Sequence, residues 1–148
     1  MAMPDLSSIL RQQRDATTDY GVQTADNAYQ KGFFTQRGQR DMDSFRKGFN
    51  RQLPSFTAQQ TQRGMGGGGI QSGVMQRAMA NYVGDYTQQM GQMQEDFNAG
   101  ISNFDQQQAL YDDFYQQTMD DLEFQKAQQI ANTATGLQQL QSMYGGGY

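Results

Sequence analysis

The residues best suited to chemistry form an acidic cluster in the second half of the chain: Asp112, Asp113, Asp120, Asp121 and Glu123. Clustered carboxylates can hold a divalent cation or share acid and base roles at a glycosidic bond. Metal-binding loops, however, alternate carboxylates with a turn glycine, and this segment has no such glycine. On a helix the aspartate pairs spread around the cylinder, which favours a solvated acidic face. We therefore predict no metal site and no cofactor.

Other combinations that support catalysis are also missing. The chain has no Cys and no His, which removes thiolate chemistry, the usual general base and the commonest metal ligand. The glycine-rich stretch at residues 64–73 lacks the Lys-Ser/Thr ending of a phosphate-binding loop. Serine without histidine forms no hydrolase triad. We expect a protein that is not an enzyme.

A row of cations in the first half of the chain alternates with phenylalanines. Such rings can stack on bases while cations follow the phosphates of a nucleic acid. Asp41 and Asp43 interrupt the row, however, and the chain has a pI of about 4.6, whereas nucleic-acid-binding domains are usually basic. An acidic protein surface is the favoured partner, and nucleic acid is the alternative. The cations are Arg37, Arg40, Arg46, Lys47 and Arg51, and the rings are Phe33, Phe34, Phe45 and Phe49.

The glycine-rich stretch at residues 64–73 divides a basic half from an acidic half. Six of its ten residues are glycine, which loses more backbone freedom on ordering than any other residue. Residues 1–74 carry 9 Lys/Arg and 6 Asp/Glu, a balance of +3, and residues 75–148 carry 2 and 9, a balance of −7. We predict two arms with a flexible joint between them.

The first half predicts a basic helical arm at residues 1–53. Asp5 or Ser7 can cap its first turn. Pro54 predicts its end, because proline lacks a backbone donor and restricts the residue before it. Residues 54–71 are then a Gln/Gly-rich linker.

The second half predicts a long acidic helical arm at residues 72–144, with Ser72 as its N-cap and residues 145–148 as a glycine-rich tail. Apolar residues recur at steps of three and four with an 11-residue repeat, then continue at wider spacing. Eleven residues in three turns favour a straight or gently right-handed bundle. The predicted helix-packing stripe comprises Met75, Met79, Tyr82, Tyr86, Met90, Met93, Phe97, Ile101, Phe104, Tyr111, Tyr115, Leu122, Ile130 and Leu137.

Glycines inside this arm predict a weak point. Gly84, Gly91 and Gly100 each destabilise a helix by about 1 kcal/mol relative to alanine. Either the helix breaks at one of them, most readily within residues 98–103, or the close approach of a neighbouring backbone compensates. Because the linker is long and irregular, we expect the basic arm to dock on a different subunit from the one that its acidic arm contacts.

The composition opposes a compact globular core. Only 36% of the 148 residues are hydrophobic, while 27 are glutamine. Either the chain is disordered until it meets a partner, or its helices bury a narrow apolar face against a neighbour. We predict an all-α fold of extended helices, with the long C-terminal amphipathic helix in an oligomeric bundle. No segment approaches the roughly 18 apolar residues of a membrane span, and no signal peptide is expected.

Three segments and the glycine-rich joint resemble small structural proteins of tailed bacteriophages. The segments are residues 11–20 (RQQRDATTDY), 36–41 (QRGQRD) and 71–79 (QSGVMQRAM). The chain is similar over most of its length to Gln- and Gly-rich, Cys-free helical proteins of phage structural gene sets. The resemblance carries no catalytic or binding motif, so it implies a class, virion component, and no site.

The resemblance implies a virion protein, assembled in the host cytoplasm, and the stripe predicts how it assembles. As a tail, tail-tip or fibre component, copies of the chain would form a homo-oligomer by packing their stripes into a bundle beside other virion proteins. The alternative is an internal or ejected virion protein that contacts DNA or the tail lumen through the basic arm. A coil spectrum of the free chain would instead favour disorder before assembly.

Overall fold

The computed structural model of the chain describes residues 4–62 and 69–145. Within these ranges it consists of two α-helices, α1 at Leu6–Gln62 and α2 at Gly69–Gly145, and contains no strand. The all-α prediction is therefore confirmed. Residues 64–68, half of the glycine-rich joint, and the last three residues of the predicted tail lie outside the described residues.

Asp5 caps the start of α1. Its Oδ1 accepts hydrogen bonds from the backbone N–H of Ser8 at 2.7 Å and from the hydroxyl of Ser7 at 3.0 Å. The first of these satisfies one of the backbone donors that every helix start leaves open. The Ser8 N–H, and after it the Ser7 hydroxyl, holds the pKa of the Asp5 carboxyl below its ordinary value. Of the two caps that the sequence predicts, the helix uses Asp5.

The predicted end of α1 at Leu53 is wrong, because the helix continues through Pro54. A proline in a helix interior removes one backbone bond and costs about 3 kcal/mol. Contacts in the following turn offset this cost. Phe56 stacks on Tyr82 of α2 with ring centroids 4.3 Å apart, and the Thr57 hydroxyl donates to the Leu53 carbonyl at 2.9 Å. The ring contact joins residues distant in the chain, so the local sequence does not reveal it.

Helix α2 is also longer and more regular than the sequence predicts. It begins at Gly69, before the predicted cap at Ser72, and it continues unbroken through residues 98–103. The predicted linker, residues 54–71, is thus helical at residues 54–62 and 69–71. The predicted break is wrong because Gly100 lies against a ring of α1, and tertiary packing of this kind supplies most helical stability in proteins.

The helices form two units, each built from a segment of α1 and a segment of α2. The terminal unit is Met1–Ala28 with Asp105–Tyr148, and the central unit is Tyr29–Phe104. In each unit the contact partners on α2 fall in number as those on α1 rise, so the segments run antiparallel. The expectation that the basic arm leaves the acidic arm for another subunit is therefore wrong within each unit, where the two arms pack on each other.

Hydrogen bonds dominate the seam of the terminal unit. Tyr20 stacks on Tyr115 with ring centroids 4.3 Å apart, and the Tyr20 hydroxyl donates to the Asp112 carboxylate. The buried Asn27 donates from Nδ2 to Oε1 of Gln108 at 3.2 Å. Each bond joins α1 to α2, so the polar groups hold the register of the two segments.

Apolar burial in the terminal unit is concentrated at two positions. Ile9 is fully buried and Leu122 is 5% exposed. Close to them in sequence, Gln13 Nε2 donates to Glu123 Oε1 at 2.9 Å, and the Thr17 and Tyr115 hydroxyls lie 3.2 Å apart. The buried apolar side chains of this unit therefore lie along the contact between the two helices and do not form an enclosed core.

Aromatic rings dominate the seam of the central unit. Phe45, Phe49 and Phe56 of α1 stack with Tyr82 and Tyr86 of α2 in four pairs, with centroids between 3.9 and 5.3 Å apart. Offset stacking of this kind contributes about 0.5–1.5 kcal/mol per pair beyond the area that it buries. The result is a continuous ladder of rings.

Two glycines let the helices interlock beside this ladder. Phe34 of α1 lies over Gly100 of α2, and Phe97 of α2 lies over Gly38 of α1. The two rings stack on each other with centroids 5.9 Å apart, and Phe104 tilts against Phe34 at 5.6 Å. A Cβ at either glycine would overlap the facing ring, since one at Gly38 would reach 2.7 Å from Cε2 of Phe97. Each helix thus contributes one phenylalanine ring and one glycine to this contact.

Candidate interaction surface

The predicted helix-packing stripe follows the side of α2 that meets α1 in each unit. Its first twelve members, from Met75 to Leu122, are half-buried or buried, whereas Ile130 and Leu137 are 52% and 59% exposed. The aromatic contacts described above account for many of the covered members, and Met79 Sδ lies 3.8 Å from the Thr57 hydroxyl oxygen. Packing of the stripe between copies of the chain stays a prediction.

The terminal unit leaves the end of this side of α2 open. Leu6, the first residue of α1, lines an apolar groove together with Leu137. Further along α2, Leu140 and Tyr144 are 50% and 84% exposed. We call residues 130–145 the overhang, because within the described residues α1 begins alongside this segment and covers only its first part.

The overhang has a regular apolar side. Ile130, Thr133, Leu137, Leu140 and Tyr144 follow one another at steps of 3, 4, 3 and 4. At about 100° per residue these five positions fall within an arc of roughly 80°. This spacing is the one by which two helices pack side by side in a left-handed pair. The open side of the overhang therefore has the pattern of a seam with no facing helix among the described residues.

A second exposed row lies on α2 of the same unit, away from the seam. Leu110, Phe114 and Phe124 are 68%, 70% and 64% exposed. They also fall within an arc of about 80° on the helix. The exposed carboxylates Asp113 and Asp121 lie next to this row, so it is apolar and acidic together.

The predicted cations of the central unit lie on the surface. Arg37, Arg40, Arg46, Lys47 and Arg51 are all exposed. Lys47 Nζ lies 3.0 Å from the carboxylate of Asp43, one turn earlier on the same helix. The seam uses Phe34, Phe45 and Phe49, as described above, and only Phe33 of the four interleaved rings is exposed, at 60%. The structure therefore separates most of the predicted stacking rings from the cations.

The acidic cluster engages in hydrogen bonds instead of converging on one point. Asp112 accepts from Tyr20 and from Gln108, and Asp120 accepts from Gln116 at 3.1 Å. Residues 4–62 and 69–145 contain no group of three carboxylates placed to hold a metal ion. The hydrogen bond to the Asp112 carboxylate, followed by desolvation, raises the pKa of the Tyr20 hydroxyl above its ordinary value.

Comparison with known proteins offers no relative from which a role could be transferred. Protein-family models, curated proteins and solved structures all give no match to this chain. Among the helices that the structure describes, none combines the length and the apolar character needed to cross a membrane. What the chain does must therefore be inferred from the surfaces of its helices.

Two features of these surfaces are not predicted by the sequence pattern. The exposed row at Leu110 and Phe114 has a one-turn spacing that was visible in the sequence, but the two residues fall outside the stripe. The pairing of Phe34 with Gly100 has no local signal at all, because the ring and the glycine lie on different helices. Which glycine faces which ring is decided by the register of the two helices.

Proposed function

We propose that the chain is a non-enzymatic structural subunit of a tailed bacteriophage, a tail, tail-tip or fibre component that assembles with copies of itself and other virion proteins. The proposal rests on one observation: the paired helices bury few apolar side chains and expose many large ones. Among the described residues two apolar side chains are buried, while 15 large hydrophobic side chains are exposed. The virion setting is supported by the resemblance of residues 11–20, 36–41 and 71–79 to phage structural proteins.

The balance of energies favours assembly. Fully burying a large apolar side chain contributes about 1.5–3 kcal/mol, while ordering the backbone costs about 1–2 kcal/mol for each residue. A pair of helices covers one side of each helix and leaves the other to solvent. Covering part of the exposed sides with neighbouring chains would add the missing apolar burial and shift the equilibrium toward the helical state.

Association can be tested on the purified full chain. We expect sedimentation velocity over a concentration series to show a mass that rises with concentration, and circular dichroism to show helicity that rises with it. A compact, fully helical monomer at every soluble concentration would contradict the proposal.

The virion setting needs the particle itself. We expect mass spectrometry of purified phage particles that encode this chain to detect it at a fixed copy number per particle. A cryo-EM map of the same particles would place two long helices in the tail, tip or fibre. Detection in the infected-cell lysate but not in washed particles would overturn the virion assignment.

A second function is supported by the exposed cations of the central unit. As an internal or ejected virion protein, the chain would contact DNA or the tail lumen through Arg37, Arg40, Arg46, Lys47 and Arg51. Binding to DNA would then fall steeply with salt, since each phosphate contact releases counterions. Loss of binding when the four arginines become glutamine would favour this function, and no binding at low salt would end it.

A further inference from the structure

We propose that two copies of the chain join through their overhangs, residues 130–145 of α2, packed antiparallel about a two-fold axis. This contact presupposes the proposed function, because it names the surface by which the structural subunit associates with itself. The occupant of the open side is a second overhang.

Continuity with the seam is the first observation that supports this contact. The stripe side of α2 is covered by α1 as far as the groove at Leu6, which lies beside Ile130 and Leu137. On the same side the apolar positions continue to Tyr144, without a facing helix among the described residues. A second helix placed there would extend an existing seam by the same side chains and the same spacing.

Charge identifies the second helix as another overhang. Residues 127–145 contain no charged side chain, whereas residues 105–123 contain six carboxylates and no cation. Two copies of α2 side by side along the acidic segment would repel each other. Two overhangs meet without that repulsion, and an antiparallel arrangement directs the acidic segments away from each other.

The spacing of the apolar positions sets a register for the pair. Under a two-fold axis each contact occurs twice, so the surface must be complementary to itself. With the axis between residues 138 and 139, Leu137 of one copy faces Leu140 of the second, and Thr133 faces Tyr144. The smallest side chain of the row thus lies opposite the largest, and the two leucines meet in the middle.

Disulfide trapping can test this register, because the chain has no cysteine of its own. We expect an equimolar mixture of Leu137→Cys and Leu140→Cys chains to form a mixed disulfide dimer faster than either variant forms a dimer with itself. A parallel pair would instead join Leu137→Cys to itself, and that result would overturn the antiparallel contact. Leu110→Cys is the matched control, since Leu110 is more exposed on α2 than either overhang leucine but lies in the acidic segment. Equal cross-linking there would also overturn it.

A charged substitution separates this contact from the proposed function. We expect Leu140→Glu to raise the dissociation constant of the dimer roughly tenfold or more, because two-fold symmetry places two buried charges in each contact. Leu110→Glu should leave it unchanged, and circular dichroism should show both variants helical. If Leu140→Glu associates like the parent chain, the overhang contact is wrong and the structural function stands. A parent chain that stays monomeric overturns both.

Discussion

The seam of the terminal unit is held by hydroxyls, amides and carboxylates, whereas the seam of the central unit is held by rings and glycines. In the terminal unit Tyr20 and Asn27 donate to Asp112 and Gln108 across the helices. In the central unit the rings of Phe49 and Tyr82 belong to a ladder of stacked pairs. The same two helices thus use two kinds of chemistry to align.

The two kinds of seam should differ in how much they stabilise their units. A hydrogen bond between protein groups contributes only about 0.5–1.5 kcal/mol net, because water bonds to the same groups in the unfolded chain. Stacked rings add the burial of their large surfaces to their pairing. We therefore expect the central unit to open last and the terminal unit, which carries the overhang, to open first.

The largest effect should come from the ring ladder. Tyr82→Ala removes stacking with both Phe49 and Phe56, and we expect a loss of about 3 kcal/mol in the free energy of unfolding, as for other large aromatic truncations. Tyr115→Ala, which removes a single stacked pair in the terminal unit, should cost clearly less. Urea unfolding of both variants measures the difference. Equal losses would show that the two seams contribute alike.

The same glycine-to-alanine substitution should have effects of opposite sign at an interlocked glycine and at a glycine that faces open space. We expect Gly100→Ala to destabilise the chain by about 2 kcal/mol, because the added Cβ overlaps the Phe34 ring. Gly84→Ala, where nothing lies within 4 Å of the added Cβ, should stabilise it by up to about 1 kcal/mol. Thermal and urea unfolding report both. A stabilising Gly100→Ala would show that the ring does not pack against this glycine.

The buried amide pair should give a smaller effect in the terminal unit. We expect Asn27→Leu to lower the free energy of unfolding by about 1 kcal/mol, because it leaves the Gln108 amide facing an apolar side chain. Asn103→Leu, at an exposed position of α2, should stay within about 0.5 kcal/mol of the parent chain. Hydrogen exchange should place the Asn27→Leu effect in the terminal unit. Faster exchange confined to the central unit would contradict it.

The smallest effect should appear at high pH. The Asp112 carboxylate raises the pKa of Tyr20 above its ordinary value of 10.0. The hydroxyl therefore stays protonated to a higher pH in the folded chain than in the unfolded chain. The resulting stability is present below pH 10.0 and is lost as the pH rises through the folded pKa. The Tyr20 titration is measured as the ultraviolet difference between the parent and Tyr20→Phe. Asp112→Asn should move that midpoint to lower pH, and an unchanged midpoint would exclude the bond.

Local signals predict part of this structure because they depend on near neighbours alone. Asp5 lies three residues before the backbone donor that it caps, so a cap was visible in the sequence. Steps of three and four place the stripe on one side of α2 whatever that side meets.

Local signals did not predict helix continuity where packing against a distant residue stabilises the helix. Pro54 and Gly100 both lower helix stability locally, yet α1 and α2 continue through them. The ring of Tyr82 stacks on Phe56, in the turn after Pro54, and the ring of Phe34 lies against Gly100 from the other helix. Helix propensity measures the free energy of a residue within its own helix. It does not include the stabilisation that packing against a second helix provides.

By itself, the sequence predicted helices and determined which residues share a side of α2, since both follow from an apolar period of 3.6 residues. Only the tertiary structure decided what that side meets. It packs against α1 of the same chain in each unit, in a register chosen by rings, glycines and amides that lie on different helices. The tertiary structure also decided which part of α2 is left uncovered, because the overhang is open only beyond the point at which α1 begins alongside it.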